Sequence, residues 1–154
     1  MLKAKIAMLM LACFATTAMA QEVTWRKDVG PMINAKCGGC HGASGPEYND
    51  WNLMPEEKRR TVAPRMDAYP YFMSYVVWPA TGAMQRRLDD GKNAGGKPGN
   101  MYQFLGGSDE ERAKNLKMVK DWLGDGAWNL NRFKARGDVP GISKEQLEKV
   151  QAKY

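Results

Sequence analysis

One histidine, His41, and three cysteines are all that the 154-residue chain offers in imidazole and thiol ligands. A lone histidine rules out a pair of imidazoles sharing acid–base work. A closed tetrahedral zinc shell takes four ligands, usually Cys or His. No second CxxC and no distant histidine is present to complete one. Beyond residue 20 no apolar run is long enough to cross a bilayer. Lysines and arginines alternate with acids rather than gathering in one basic patch, which argues against nucleic-acid binding and for a solvated mixed surface. Neither a βαβ rhythm nor a strand-like alternation of apolar residues is present.

What is present begins with MLKAKIAMLMLACFATTAMA. Lys3 and Lys5 precede a short apolar core from Ile6 to Phe14, and Ala18-Met19-Ala20 supplies a cleavage signal. Residues 1–20 read as a secretory signal peptide. A lipoprotein reading at Cys13 competes, but it leaves a very short apolar core and an unexplained A-x-A site. Cleavage leaves 134 residues, one domain's worth, and removes Lys3 and Lys5 but no acid, so the formal charge falls from +6 to +4. The expected compartment is the bacterial periplasm or the exterior.

The exported chain then keeps two cysteines, both within AKCGGCHGASG, residues 35–45. Cys37, Cys40 and His41 make a CxxCH motif. A thioredoxin-like dithiol expects a buried strand upstream, yet TWRKDVGPMINAK is polar and broken at Gly30-Pro31. A disulfide across two residues would close a loop too small to stabilise much. Covalent haem attachment uses all three residues: thioether bonds from Cys37 and Cys40 fix the macrocycle, and His41 meets the iron from one side.

At these residues the sequence resembles the monohaem c-type cytochromes of the class I, mitochondrial-cytochrome-c-like family. DVGPMINAKCGGCHG, residues 28–42, is similar to the way such domains begin, and the layout resemblance spans roughly residues 25–124. It implies an all-α, class I cytochrome c fold of short helices around one covalent haem c, with the first and last helices crossing beside it. It also implies a methionine on the far side of the iron.

The helical pattern agrees in outline. A first helix opens at Gly30-Pro31, with Val29, Met32, Ile33 and Ala35 as apolar positions. GASGPEYNDWN reads as a loop; helices are expected after Pro55 and over Tyr69–Trp78, and a capped helical turn over Thr81–Gly91. The clearest helix is SDEERAKNLKMVKDWLG, capped by Ser108 with Glu111 boxed, with Ala113, Leu116, Val119, Trp122 and Leu123 on one face. The cytochrome domain is thus expected over 21–124. Residues 125–154 form a C-terminal extension that straps Trp128 and Phe133 onto the core and ends in a helix capped by Ser143 and Gln146.

For the sixth ligand, Met101 and Met84 stand out. Met101 lies in the Gly/Pro loop KPGNMYQFLGG beside Tyr102, Phe104 and Leu105, just before the last long helix. Met84 follows Pro79 but adjoins Arg86 and Arg87. Arg86, Arg87 or Trp78 could meet the haem propionates. The expected function is one-electron transfer by a monomeric periplasmic carrier with His/Met ligation, serving transient redox partner proteins. The alternatives are a haem-bearing subunit of a larger oxidoreductase, or an open-site haem enzyme or gas-binding protein, which would want a distal histidine the chain lacks.

Protein exported from a host able to mature c-type cytochromes is expected to begin near Gln21 by N-terminal sequencing. It should be coloured, with both remaining thiols refractory to alkylation.

Overall fold

The computed structural model describes residues 22–92, 95–124, 126–129 and 142–154, and every regular element among them is helical. The expected signal peptide, residues 1–20, and Phe133 lie outside the described residues. No helix among the described residues is long and apolar enough to cross a membrane.

Thr24 starts the fold. Its hydroxyl accepts the Lys27 amide at 3.3 Å, and the Asp28 carboxylate accepts the Thr24 amide at 2.8 Å. These groups satisfy donors that a helix start otherwise leaves unpaired. A π-helical turn, Trp25–Val29, runs straight into α1, Gly30–His41. Val29 and Ile33 are buried as expected, whereas Ala35 is exposed.

Short helices follow: α2 (Tyr48–Leu53), α3 (Glu56–Thr61), α4 (Tyr69–Met73) and α5 (Ala83–Leu88). The expected loop after His41 is shorter than composition implied. Gly42, Ser44, Gly45 and Pro46 stay irregular, but the chain coils from Tyr48 because the Trp51 indole donates to the Val62 carbonyl at 2.8 Å and anchors that turn. Helix α4 ends well before Trp78. The Ser74 hydroxyl donates to the Pro70 carbonyl at 3.0 Å, and Pro79 disfavours helical geometry at Trp78. A 3₁₀ turn, Tyr102–Leu105, leads to α6, Asp109–Leu123.

Helix α6 carries the predicted cap: the Ser108 hydroxyl accepts the Glu111 amide at 3.2 Å. The Glu111 carboxylate reaches back one residue further than a simple box, to the Gly107 amide at 2.7 Å, and also pairs with Lys36 of α1 at 2.5 Å. Leu116, Val119, Trp122 and Leu123 are buried; Ala113 faces solvent. Trp122 packs against Trp25 and Phe72, with each pair of ring centroids 5.7 Å apart, and Tyr69 closes the cluster edge-on. This aromatic cluster joins the first turn, α4 and α6.

The tail departs from the expected long final helix. Among residues 142–154 only Lys144–Leu147 is helical (α7), opened by the full Ser143/Gln146 capping box. The chain then extends because its polar backbone serves other elements. The Gln151 and Ala152 amides donate to the Leu123 and Trp122 carbonyls at the end of α6, both at 2.9 Å. The Lys153 carbonyl accepts the Trp25 amide and the Trp122 indole, each at 2.8 Å. One strap therefore satisfies the open carbonyl end of the last long helix and the open amide end of the first. Upstream, Trp128 is buried, and its indole donates to Asp89 at 3.2 Å.

Trp122 is 1 % exposed. Trp122→Ala is expected to cost about 3–5 kcal/mol in a urea unfolding titration, whereas Tyr69→Phe, which loses only the hydroxyl bond to Ala152, should cost about 1 kcal/mol.

Candidate haem site

Residues three and four apart in an α-helix share a face. Cys37, Cys40 and His41 occupy the last turn of α1 at that spacing, so both thiols and the imidazole lie on one side of the helix end. Cys37 is half-buried against the core and Cys40 is exposed, both as free thiols. Burial, and then the neighbouring Cys40, push the Cys37 thiol up to about 11. That is the opposite of the lowered thiol a redox dithiol needs. Among the described residues no group of three or more His, Cys, Asp or Glu side chains is arranged to hold a metal ion.

The imidazole is aimed. His41 Nδ1 lies 2.7 Å from the Pro64 carbonyl oxygen. A carbonyl only accepts, so Nδ1 carries the proton and Nε2 is left with its lone pair free to bind a metal. Nothing in the sequence around Pro64 signals this contact, which depends on a backbone oxygen 23 residues from the histidine.

Pro64 is fixed by its surroundings. The Met66 amide donates to the His41 carbonyl at 2.8 Å, and the Arg65 amide to the Pro46 carbonyl at 2.9 Å. The Arg65 side chain grips Asp67 with two bonds, at 2.8 and 2.9 Å, and stacks over the Tyr71 ring at 4.1 Å. The Tyr71 hydroxyl in turn donates to Glu47 at 2.7 Å. The two loops run so close that a Cβ on Gly45 would sit 2.8 Å from the Ala63 carbonyl oxygen; only glycine allows the approach.

The two methionines occupy different settings. Met84 is 5 % exposed within α5, its amide bonded to the Tyr75 carbonyl at 2.9 Å. Met101 is half-buried at the mouth of the 3₁₀ turn, its amide bonded to the Arg87 carbonyl at 3.0 Å. Its loop is pressed so tightly onto α5 that a Cβ on Gly99 would lie 2.2 Å from the Arg87 carbonyl oxygen. Of the other polar groups singled out in the sequence, Arg87 bonds Asn100 at 3.1 Å, and the Trp78 side chain is 62 % exposed.

Residues 24–154 match the family model described as PccH cytochrome c. The chain belongs to the PccH cytochrome c family. Among solved structures, the monoheme cytochrome PccH from Geobacter sulfurreducens is similar, with 44% sequence identity and a TM-score of 0.71 over 86% of this chain and 99% of that one. No curated protein matches. Family membership makes this a monohaem c-type cytochrome with one covalently bound haem c and an all-α fold. Neither comparison supports the narrower class I, mitochondrial-like placement expected from the sequence; the matching family is that of PccH. The donor set at the end of α1 fits the group, with two uncommitted thiols beside an imidazole whose second nitrogen is already engaged.

Arg65 holds the Asp67 carboxyl below the usual carboxylate range. The stability this adds is present at neutral pH and is lost as the pH falls through the lowered folded value, beneath about 3.9. Asp67→Asn should therefore destabilise at pH 7, and its urea midpoint should converge with that of the parent protein as the pH falls below the ordinary carboxylate range.

Proposed function

We propose that this cytochrome is a periplasmic one-electron carrier with His/Met ligation. Cys37 and Cys40 would hold the haem through thioethers, and its iron would be bound by His41 Nε2 and by Met101, with Met84 as the alternative. The observation carrying this reading is the His41–Pro64 hydrogen bond, which commits the protein's sole imidazole to a single orientation beside the two thiols. The haem supplies the ferric/ferrous couple.

The chain's own residues do the rest. Pro64 fixes the ring of His41, so an electron can come and go with little rearrangement on that side. A methionine sulfur favours ferrous iron and raises the potential. Met101 is preferred because its side chain keeps some exposure at the edge of the core, whereas Met84 is already enclosed by protein. Proton chemistry on a substrate has no candidate histidine, since the sole imidazole is spoken for, and this favours a carrier over an open-site enzyme.

Partners are redox proteins met in brief encounters, steered modestly by the small positive charge of the exported chain. The interspersed charges argue against nucleic acid as a partner, and the carrier is proposed to act as a monomer. A fixed subunit of a larger oxidoreductase would use the same site and differ only in the lifetime of its complex.

The oxidised, haem-loaded protein should be low-spin with a weak sulfur-to-iron charge-transfer band at the red end of the spectrum. Met101→Ala should abolish that band while Met84→Ala retains it; the reverse outcome moves the ligand to Met84. A high-spin parent spectrum would refute methionine ligation altogether.

A further inference from the structure

Helix α5 is six residues long, too short to hold its shape unaided. Yet Thr81, Gln85 and Asp89, spaced four apart through and beside it, are each 0 % exposed. Buried polar groups cost stability unless something bonds them. Thr81 turns its hydroxyl back onto the Val77 carbonyl. Gln85 and Asp89 reach the C-terminal extension. Gln85 Nε2 donates to the Ala127 carbonyl at 3.3 Å, and the Trp128 indole donates to Asp89 Oδ1 at 3.2 Å. Lys120 of α6 lies over the same Trp128 ring, 4.9 Å from its centroid. Trp128 is thus shared between α5 and α6.

The far end of α5 also carries the Met101 loop. The Asp89 carbonyl accepts the Gly99 amide at 2.8 Å, and the Arg87 carbonyl accepts the Met101 amide at 3.0 Å. The Arg87 guanidinium bonds Asn100 at 3.1 Å. The run GKNAGGKPGN leading to Met101 is rich in glycine, the residue whose ordering costs the most entropy, so its position is imposed by what it bonds. Asp89 joins the two systems: its backbone oxygen holds the loop, and its carboxylate is held by the extension.

We infer that Trp128 is a positioning residue for the iron's methionine: through Asp89 it braces the end of α5, and α5 in turn keeps the Met101 segment seated. The inference rests on Met101 as the proposed ligand. It gives the extension beyond α6 a task of its own, limiting how often the sulfur swings away and a small outside ligand enters.

Cyanide displaces a methionine sulfur from ferric haem, and at saturating cyanide its binding rate reports how fast the sulfur's loop opens. In the oxidised, haem-loaded protein, Trp128→Phe keeps a ring but removes the bond to Asp89. It should raise that limiting rate about tenfold, the loss expected of a hydrogen bond to a carboxylate. Tyr69→Phe, which deletes a hydrogen bond to Ala152 elsewhere in the same extension, should leave the rate unchanged. An unmoved rate in folded Trp128→Phe, or an equal acceleration in Tyr69→Phe, overturns the brace. Should Trp128→Phe fail to fold, hydrogen exchange of the unaltered protein in mild denaturant decides. The Trp128 indole and the Gly99 and Met101 amides should be released in one shared opening, before the buried Val119 amide of α6. Separate release of the indole, or release of all three only together with Val119, overturns the inference. Failure of the underlying reading looks different: the parent lacks the sulfur-to-iron band, or the band survives in Met101→Ala.

Discussion

The hydrogen bond from His41 Nδ1 to the Pro64 carbonyl is the constraint around which the site is arranged. An imidazole has two nitrogens and one useful direction for a metal, and spending one nitrogen on a fixed acceptor settles the other. The acceptor is fixed because the loop bearing it is tied to His41 and the loop after it by backbone bonds and, through Arg65 stacked on Tyr71, by the Tyr71–Glu47 bond, while the Arg65–Asp67 grip stiffens it from within. Those polar contacts lie at a partly exposed surface, so each is modest in energy. Their value lies in geometry: together they give one proline oxygen one position.

Behind the site the aromatic cluster does a different job. Trp25, Phe72, Tyr69 and Trp122 clamp the start of the first helix against α4 and the end of α6. The helix presenting Cys37, Cys40 and His41 is therefore steadied at its far end by apolar burial and at its near end by hydrogen bonding. The short elements between them are too brief to be stable alone and exist because this packing holds them.

The sequence made plain what is encoded locally. The Ser108 and Ser143 caps, the stop at Gly124 and the i, i+3, i+4 placement of the CxxCH residues all follow from neighbours within one turn. What it hid depends on residues far apart. The α2 turn forms because Trp51 reaches Val62, and α7 stops after one turn because residues 151–153 are bonded to Leu123, Trp122 and Trp25. The Pro64 acceptor was illegible for the same reason: a backbone oxygen carries no motif. Ala35 and Ala113 were misplaced to the core because a methyl group fits either side of a helix at little cost.

The strap that closes the fold also brings the two ends of the described chain side by side, with Glu22 and Lys153 forming an ion pair. A short peptide bridge could join the ends without disturbing the helices, and new ends could be opened in an exposed turn elsewhere. Such a circular permutant would present the haem-attachment motif late in synthesis rather than early. The order in which cofactor stapling and chain closure occur would then become a property the engineer can choose.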